Sequence, residues 1–154
     1  MSLRLEAIPS HETLFLLPML LDADEGEERI HTVLLDPACT AYAAWLDDQL
    51  VGATVVRWEE NAPSEILYIE VATALRSRGY GKQIIQALQH ELPRRGGRSL
   101  LVGTANAALE NIAFYQKCGF RMHEIRRDYF AYIQPPVFEH DIQLRDMLVF
   151  RYDL

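Results

Sequence analysis

Cysteine is scarce: Cys39 and Cys118 are the two in 154 residues. Neither lies in a CxxC or Cys/His cluster, which removes a disulfide framework and a structural zinc site. The five histidines (His11, His31, His90, His123 and His140) are scattered, with none at i, i+4 spacing. A helical metal-binding pair is therefore missing, and each histidine reads as a surface or packed residue. Positive charge is also short, with 15 Lys and Arg against 22 Asp and Glu and a net charge of −7. Nucleic acid is disfavoured as a partner, because neutralising phosphates needs a basic face. No apolar run approaches the roughly 18 residues of a membrane span, and no basic-then-apolar leader opens the chain. Repeats, low-complexity stretches and linkers are lacking too. The expectation is one cytoplasmic domain over 1–154, without metal or membrane, long enough to bury about two thirds of its unfolded surface.

What is present centres on residues 65–115. An apolar run at 66–71, bounded by Pro63-Ser64, reads as a buried strand. Then comes Arg76-Ser77-Arg78-Gly79-Tyr80-Gly81-Lys82, followed by a stretch at 83–92 whose Ile84, Ile85 and Leu88 recur at helical spacing. Strand, glycine loop and helix aim free N–H groups and a helix dipole at an anion. Gly79 and Gly81 allow positive φ and close backbone approach, while Arg76, Arg78 and Lys82 add positive charge. A phosphate-bearing ligand suits such a loop. The dinucleotide fingerprint does not fit: the place of its third glycine holds Ile84, and the strand at 99–103 ends without an acid. Nor does the P-loop, since Lys82 is followed by Gln83.

The pattern that fits is [QR]-x-x-G-x-[GA], from Arg76 to Gly81 directly after a strand. A second pattern follows after an intervening helix and strand: Phe114-Tyr115-Gln116-Lys117-Cys118-Gly119-Phe120, closing a helix expected over 107–117 with Asn106 as its N-cap and Gly119 at C′. Together these resemble the GNAT superfamily of acyl-CoA-dependent N-acetyltransferases over roughly residues 50–150. The resemblance implies an α/β (α+β) fold, a mixed and mostly antiparallel central sheet of about seven strands flanked by about four helices.

Periodicity gives a compatible order. Residues 4–7 read as a strand, and 11–21 as an apolar segment interrupted by Pro18. Residues 24–35 read as a helix with acids in its first turn and an Ile30, Val33, Leu34 stripe. Residues 40–46 and 50–58 read as a hairpin, and 120–133 and 143–152 as closing strands around Pro135-Pro136.

The implied chemistry is transfer of an acetyl group from acetyl-CoA directly to a primary amine, on a small molecule or a protein N-terminus. At pH 7 only about one alkyl amine in 2,500 is neutral, so deprotonation costs about 4.6 kcal/mol, which a base or a desolvating pocket must offset. The oxyanion wants a backbone N–H and the leaving thiolate a proton. The resemblance places Tyr115 as the general acid. For the base the resemblance favours Glu65, at the strand start where some members carry a catalytic glutamate, with Glu70, nearer the acetyl group, as the runner-up and a water relay as a further route. In a regular strand the two glutamates face opposite sides, with Tyr68 on Glu70's side, unless a bulge intervenes. Cys118 has no base partner and reads as packing. Ile69, Val71 and Thr73 would offer main-chain groups to the pantetheine amides. Arg78, Gly79, Tyr80, Gly81 and Lys82 would surround the pyrophosphate, Arg76 would bind phosphate or fix the loop, and Asn106 and Asn111 would bond the pantetheine arm. Many superfamily members pair through their last strands, which makes a homodimer an expectation. A binding module that holds acyl-CoA without turnover is the competing reading.

Overall fold

Runs of small and β-branched residues build the sheet. The computed structural model describes residues 3–21 and 26–154. Strand β1 (Arg4–Ile8) leads into a 3-10 segment (Ser10–Leu16) and the single turn α1 (Leu17–Leu20), with Pro18 in its first turn, where a missing N–H is harmless. Helix α2 (Glu27–Leu35) keeps Glu27 and Glu28 in its first turn; Asp24 and Glu25, expected to begin it, lie outside the described residues. The hairpin is β2 (Thr40–Leu46) and β3 (Gln49–Arg57), and β4 (Ser64–Val71) follows. Then come α3 (Tyr80–Arg94), β5 (Ser99–Ala105), α4 (Leu109–Lys117), β6 (Arg121–Arg126), the short β7 (Phe138–Glu139) and β8 (Ile142–Gln143), and β9 (Met147–Asp153). Seven strands form one sheet in the order β1-β2-β3-β4-β5-β9-β6, while β7 and β8 make a separate hairpin. Every pairing is antiparallel except β4 with β5. Among the described residues no helix is long and apolar enough to cross a membrane.

Each face of the sheet carries its own core. On one, Leu16, Leu20, Ile30 and Leu34 cover Ala41, Ala43, Ala53, Val55 and Tyr68. On the other, Ile84, Ile85, Leu88 and Leu92 of α3 join Tyr115 and Phe120 over Val51, Val56, Ile66, Leu100 and Phe150. Strand β2 shows the alternation, sending Ala41 and Ala43 to the first core and Tyr42 and Ala44 to the second.

Strand β4 departs from that alternation. Val55 of β3 opposes Tyr68 but Val56 opposes Ile66, so Leu67 is an extra residue, a β-bulge. Its effect shows in the cores: Ile66 packs on the α3 side and Tyr68, two residues on, packs on the α1–α2 side. The bulge therefore shifts the parity, and Glu65 and Glu70 share the α1–α2 face, contrary to the opposite faces of a regular strand. Strand β4 also leaves β5 early. The pair is in register only at Ser64–Leu100, Glu65–Leu101 and Ile66–Val102, while β3 follows β4 to Val71 and β9 follows β5 to Ala105. A V-shaped opening results, inside the sheet.

Four sequence expectations shift. Helix α3 begins at Tyr80 rather than 83, so the second half of the glycine loop is its first turn. Helix α4 begins at Leu109 with Ala108 at the N-cap, and Asn106 caps nothing. The Asn106 side chain instead donates to the Gln143 carbonyl at 3.0 Å and accepts from the Arg145 and Asp146 N–H groups at 2.9 and 3.1 Å. The strand expected over 120–133 stops at Arg126, because Asp128 turns through φ 57 and donates its N–H to the Asp146 carboxylate; that expected over 143–152 starts only at Met147.

Leu88 is fully buried in the α3 core. Leu88→Ala is expected to lower unfolding stability by about 2–5 kcal/mol in urea titration, against about 0.5 or less for the exposed Gln86→Ala. Asn106→Ala, which strands two N–H groups and a carbonyl, is expected to remove about 1–3 kcal/mol and to raise amide exchange over residues 143–146.

Candidate active site

The glycine loop ends on the first turn of α3. Gly79 is the N-cap with φ 85, a left-handed value that L side chains rarely adopt. The first helical bond runs from the Gln83 N–H to the Gly79 carbonyl at 3.1 Å, leaving the N–H groups of Tyr80, Gly81 and Lys82 without intrahelical acceptors. Gly81 lets α3 approach α4, since a Cβ there would stand 3.3 Å from Phe114 Cζ. Three aligned donors, the helix dipole and the Lys82 ammonium make an anion seat.

That seat opens into a cavity of about 650 Å³, lined by Ile69, Glu70, Val71, Arg76, Gly79 through Lys82, Asn111, Phe114 and Tyr115. A second cavity of about 230 Å³ lies in the opening between β4 and β5, reaching Leu67, Tyr68, Thr104, Phe130, Glu139, Leu144 and Met147. Ile69, Glu70, Asn111 and Tyr115 line both, so the two spaces meet at these four residues.

Tyr115 is 5 % exposed, with Phe114 and Phe120 edge-on at 5.2 and 6.0 Å between ring centres and Phe150 tilted at 5.9 Å. Burial first, then the charges of Glu70 and Cys118, push its phenol well above the ordinary tyrosine value of 10. It is therefore a neutral O–H at any physiological pH. Glu70 is largely buried and paired with Arg76, whose Nε also donates to the Val71 carbonyl at 3.2 Å. Arg76 thus ties the glycine loop to the end of β4. Asn111 donates to Thr104 Oγ1 at 3.2 Å, fixing α4 to β5. Burial raises the Cys118 thiol, which argues against a thiolate nucleophile there.

Other residues singled out from the sequence stand apart. Glu65 lines neither cavity; Arg126 donates to both of its carboxylate oxygens, at 3.1 and 3.3 Å. Thr73, Arg78 and Asn106 line neither cavity either. Sequence reasoning missed Phe130, Glu139, Leu144 and Met147. The one local signal was the β7–β8 turn, where His140 and Asp141 take φ 51 and 62, and that pair is not the Asn-Gly type that announces such a turn.

Comparison with known proteins gives the family. A profile of the Acetyltransferase (GNAT) family matches residues 5–120. An uncharacterized N-acetyltransferase of Bacillus subtilis, YvbK, is 33 % identical over 140 residues, covering 90 % of this chain and 89 % of its own. A Bacillus subtilis acetyltransferase solved in complex with CoA is 31 % identical, with TM-score 0.89 over 99 % of both chains. A GNAT family acetyltransferase from Elizabethkingia anophelis with acetyl-CoA bound is 26 % identical, with TM-score 0.89 and the same coverage. Family profile, sequence relatives and fold converge, and the chain belongs to the GNAT family of N-acetyltransferases.

Proposed function

We propose that this N-acetyltransferase moves the acetyl group of acetyl-CoA directly to a primary amine in the opening between β4 and β5. The observation that carries the reading is the meeting of an anion-binding cavity and a smaller cavity at Tyr115. The CoA and acetyl-CoA complexes of the two relatives support acetyl-CoA as the cosubstrate. Its pyrophosphate would take the N–H groups of Tyr80, Gly81 and Lys82, and its pantetheine would run along β4 past Ile69 and Val71, where β5 no longer pairs. Asn111 stands beside that path. The acyl acceptor would enter from the β7–β8 side.

The reaction needs no covalent enzyme intermediate. The ammonium loses a proton, its nitrogen lone pair attacks the thioester carbonyl, the C–S bond breaks, and the thiolate is protonated; amide, free thiol and one proton result. For the base we infer Glu70, directly or through water, because it lines both cavities, whereas Glu65 is bound by Arg126 outside them. Tyr115 serves the sulfur. A phenol this far above its normal pKa gives up a full proton to a thiolate of pKa about 8.5 only uphill. Its hydroxyl therefore stabilises the developing charge by donating a hydrogen bond, and the proton lost from nitrogen closes the balance.

Thiol release from acetyl-CoA with a panel of amines tests this reading. Tyr115→Phe is expected to lower kcat by about 10²–10³-fold with acetyl-CoA affinity retained. Binding of acetyl-CoA without turnover on any acceptor would instead support a non-catalytic binding protein. The pH profile gives a second test. A raised phenol pKa keeps the donating, protonated form below it, so kcat should rise as the amine and base deprotonate and show no decline up to about pH 10. A fall in kcat beginning below pH 9 without unfolding would contradict the role of Tyr115.

A further inference from the structure

The smaller cavity carries charge of one sign. Tyr68, Phe130, Leu144 and Met147 supply apolar and aromatic lining, Thr104, Asn111 and Tyr115 neutral polar lining, and its carboxylates are Glu70 and Glu139. No Lys, Arg or His side chain lines it among the described residues. Glu70 already shares its charge with Arg76, whereas Glu139 has no ion pair among the described residues. Glu139 is also held in place. Its hairpin pairs Phe138 with Gln143 and Glu139 with Ile142, the Gln143 carbonyl accepts from Asn106, and Leu144 donates to the Val137 carbonyl at 2.9 Å. At the hairpin tip, His140 Nε2 lies 2.9 Å from Glu110 Oε1 of α4.

We propose that the acceptor is a compact primary amine with no carboxylate, its ammonium recognised by Glu139. This rests on the acetyl-transfer reading above and specifies its acceptor. The volume, about 230 Å³, falls below the 300–1,000 Å³ that drug-sized ligands fill, so it suits a small molecule rather than a peptide segment. A sphere of that volume is roughly 8 Å across. Every charge lining it thus acts on the guest within about one Debye length. An ammonium is drawn in. An α-carboxylate on the same molecule meets Glu70 and Glu139 as like charges, which selects the decarboxylated amine over the amino acid.

The experiment measures thiol release from acetyl-CoA with phenethylamine, phenylalanine and a tripeptide bearing a free N-terminus. Acetyl-CoA affinity is followed by calorimetry in the wild type and in Glu139→Gln and Glu139→Arg. Phenethylamine should exceed phenylalanine at least tenfold in kcat/KM. Glu139→Gln should raise KM for phenethylamine about tenfold with kcat within twofold, and Glu139→Arg should narrow or invert the preference over phenylalanine. Unchanged acetyl-CoA affinity in both variants would show them folded. The proposal is overturned if phenylalanine or the tripeptide matches phenethylamine, or if Glu139→Gln leaves KM unchanged. Acetyl-CoA binding with none of the three acetylated overturns the acceptor class and leaves coenzyme binding standing. Failure to bind acetyl-CoA overturns both readings.

Discussion

The parting of β4 from β5 is the constraint on which the rest of the site depends. Three residue pairs join these strands, and beyond Ile66 and Val102 each keeps a partner on its outer side only. An unpaired edge inside a sheet invites association with any extended chain. Here the edge is sheltered: α4 brings Tyr115 into the opening, and Phe114, Phe120 and Phe150 hold the ring. The fold thus keeps a row of main-chain groups available to one kind of guest, an extended chain with amides of its own. A regular parallel pair running to Val71 would abolish both cavities without changing a single side chain.

Across Tyr115 the sign of the local charge reverses. On the α3 side stand a helix N-terminus, Lys82 and Arg76; on the β7–β8 side stand Glu70 and Glu139. The Arg76–Glu70 pair sits at the boundary and belongs to both sides. A net charge of −7 conceals this division, because it sums surface carboxylates that take no part. What matters for an anionic ligand and a cationic one meeting at one carbonyl is the gradient between their seats.

The parts legible in the sequence are those where backbone geometry dictates residue type. A left-handed N-cap with φ 85 calls for glycine at Gly79, and close packing against Phe114 calls for it at Gly81, so the loop announces itself. The order of strands and helices followed from hydrophobic runs and turn residues, whereas their assembly into one seven-stranded sheet was implied by the family resemblance. The bulge at Leu67 left no such trace. It is made by the register with β3, and nothing in the residues around Leu67 encodes it, so the faces of Glu65 and Glu70 were not readable from β4 alone. Asn106 misled for a related reason: an Asn before a helical stretch is a natural cap, and only the folded C-terminal segment reveals three better partners. Glu139 sits on a strand of two residues, below the length at which periodicity speaks.

Glu65 and Glu70 show how one residue type on one face of one strand divides its tasks. Glu65 lies where β4 and β5 are still paired, and Arg126, three strands away at the sheet edge, reaches back to grip both of its oxygens. A planar guanidinium engaged in that bidentate way fixes geometry as well as charge. The pair spans β5 and β9, the two strands on the far side of the opening, and fastens the edge of the sheet to its centre. Removing the Glu65 carboxylate would release Arg126 and undo that tie. Glu70 lies past the parting, among cavity-lining residues, and its partner Arg76 is on a loop outside the sheet. The Glu70–Arg76 contact joins a loop to the end of β4 and takes no part in any strand pairing. The position of the parting thus separates the glutamate that lines the cavities from the one that ties the edge of the sheet to its centre.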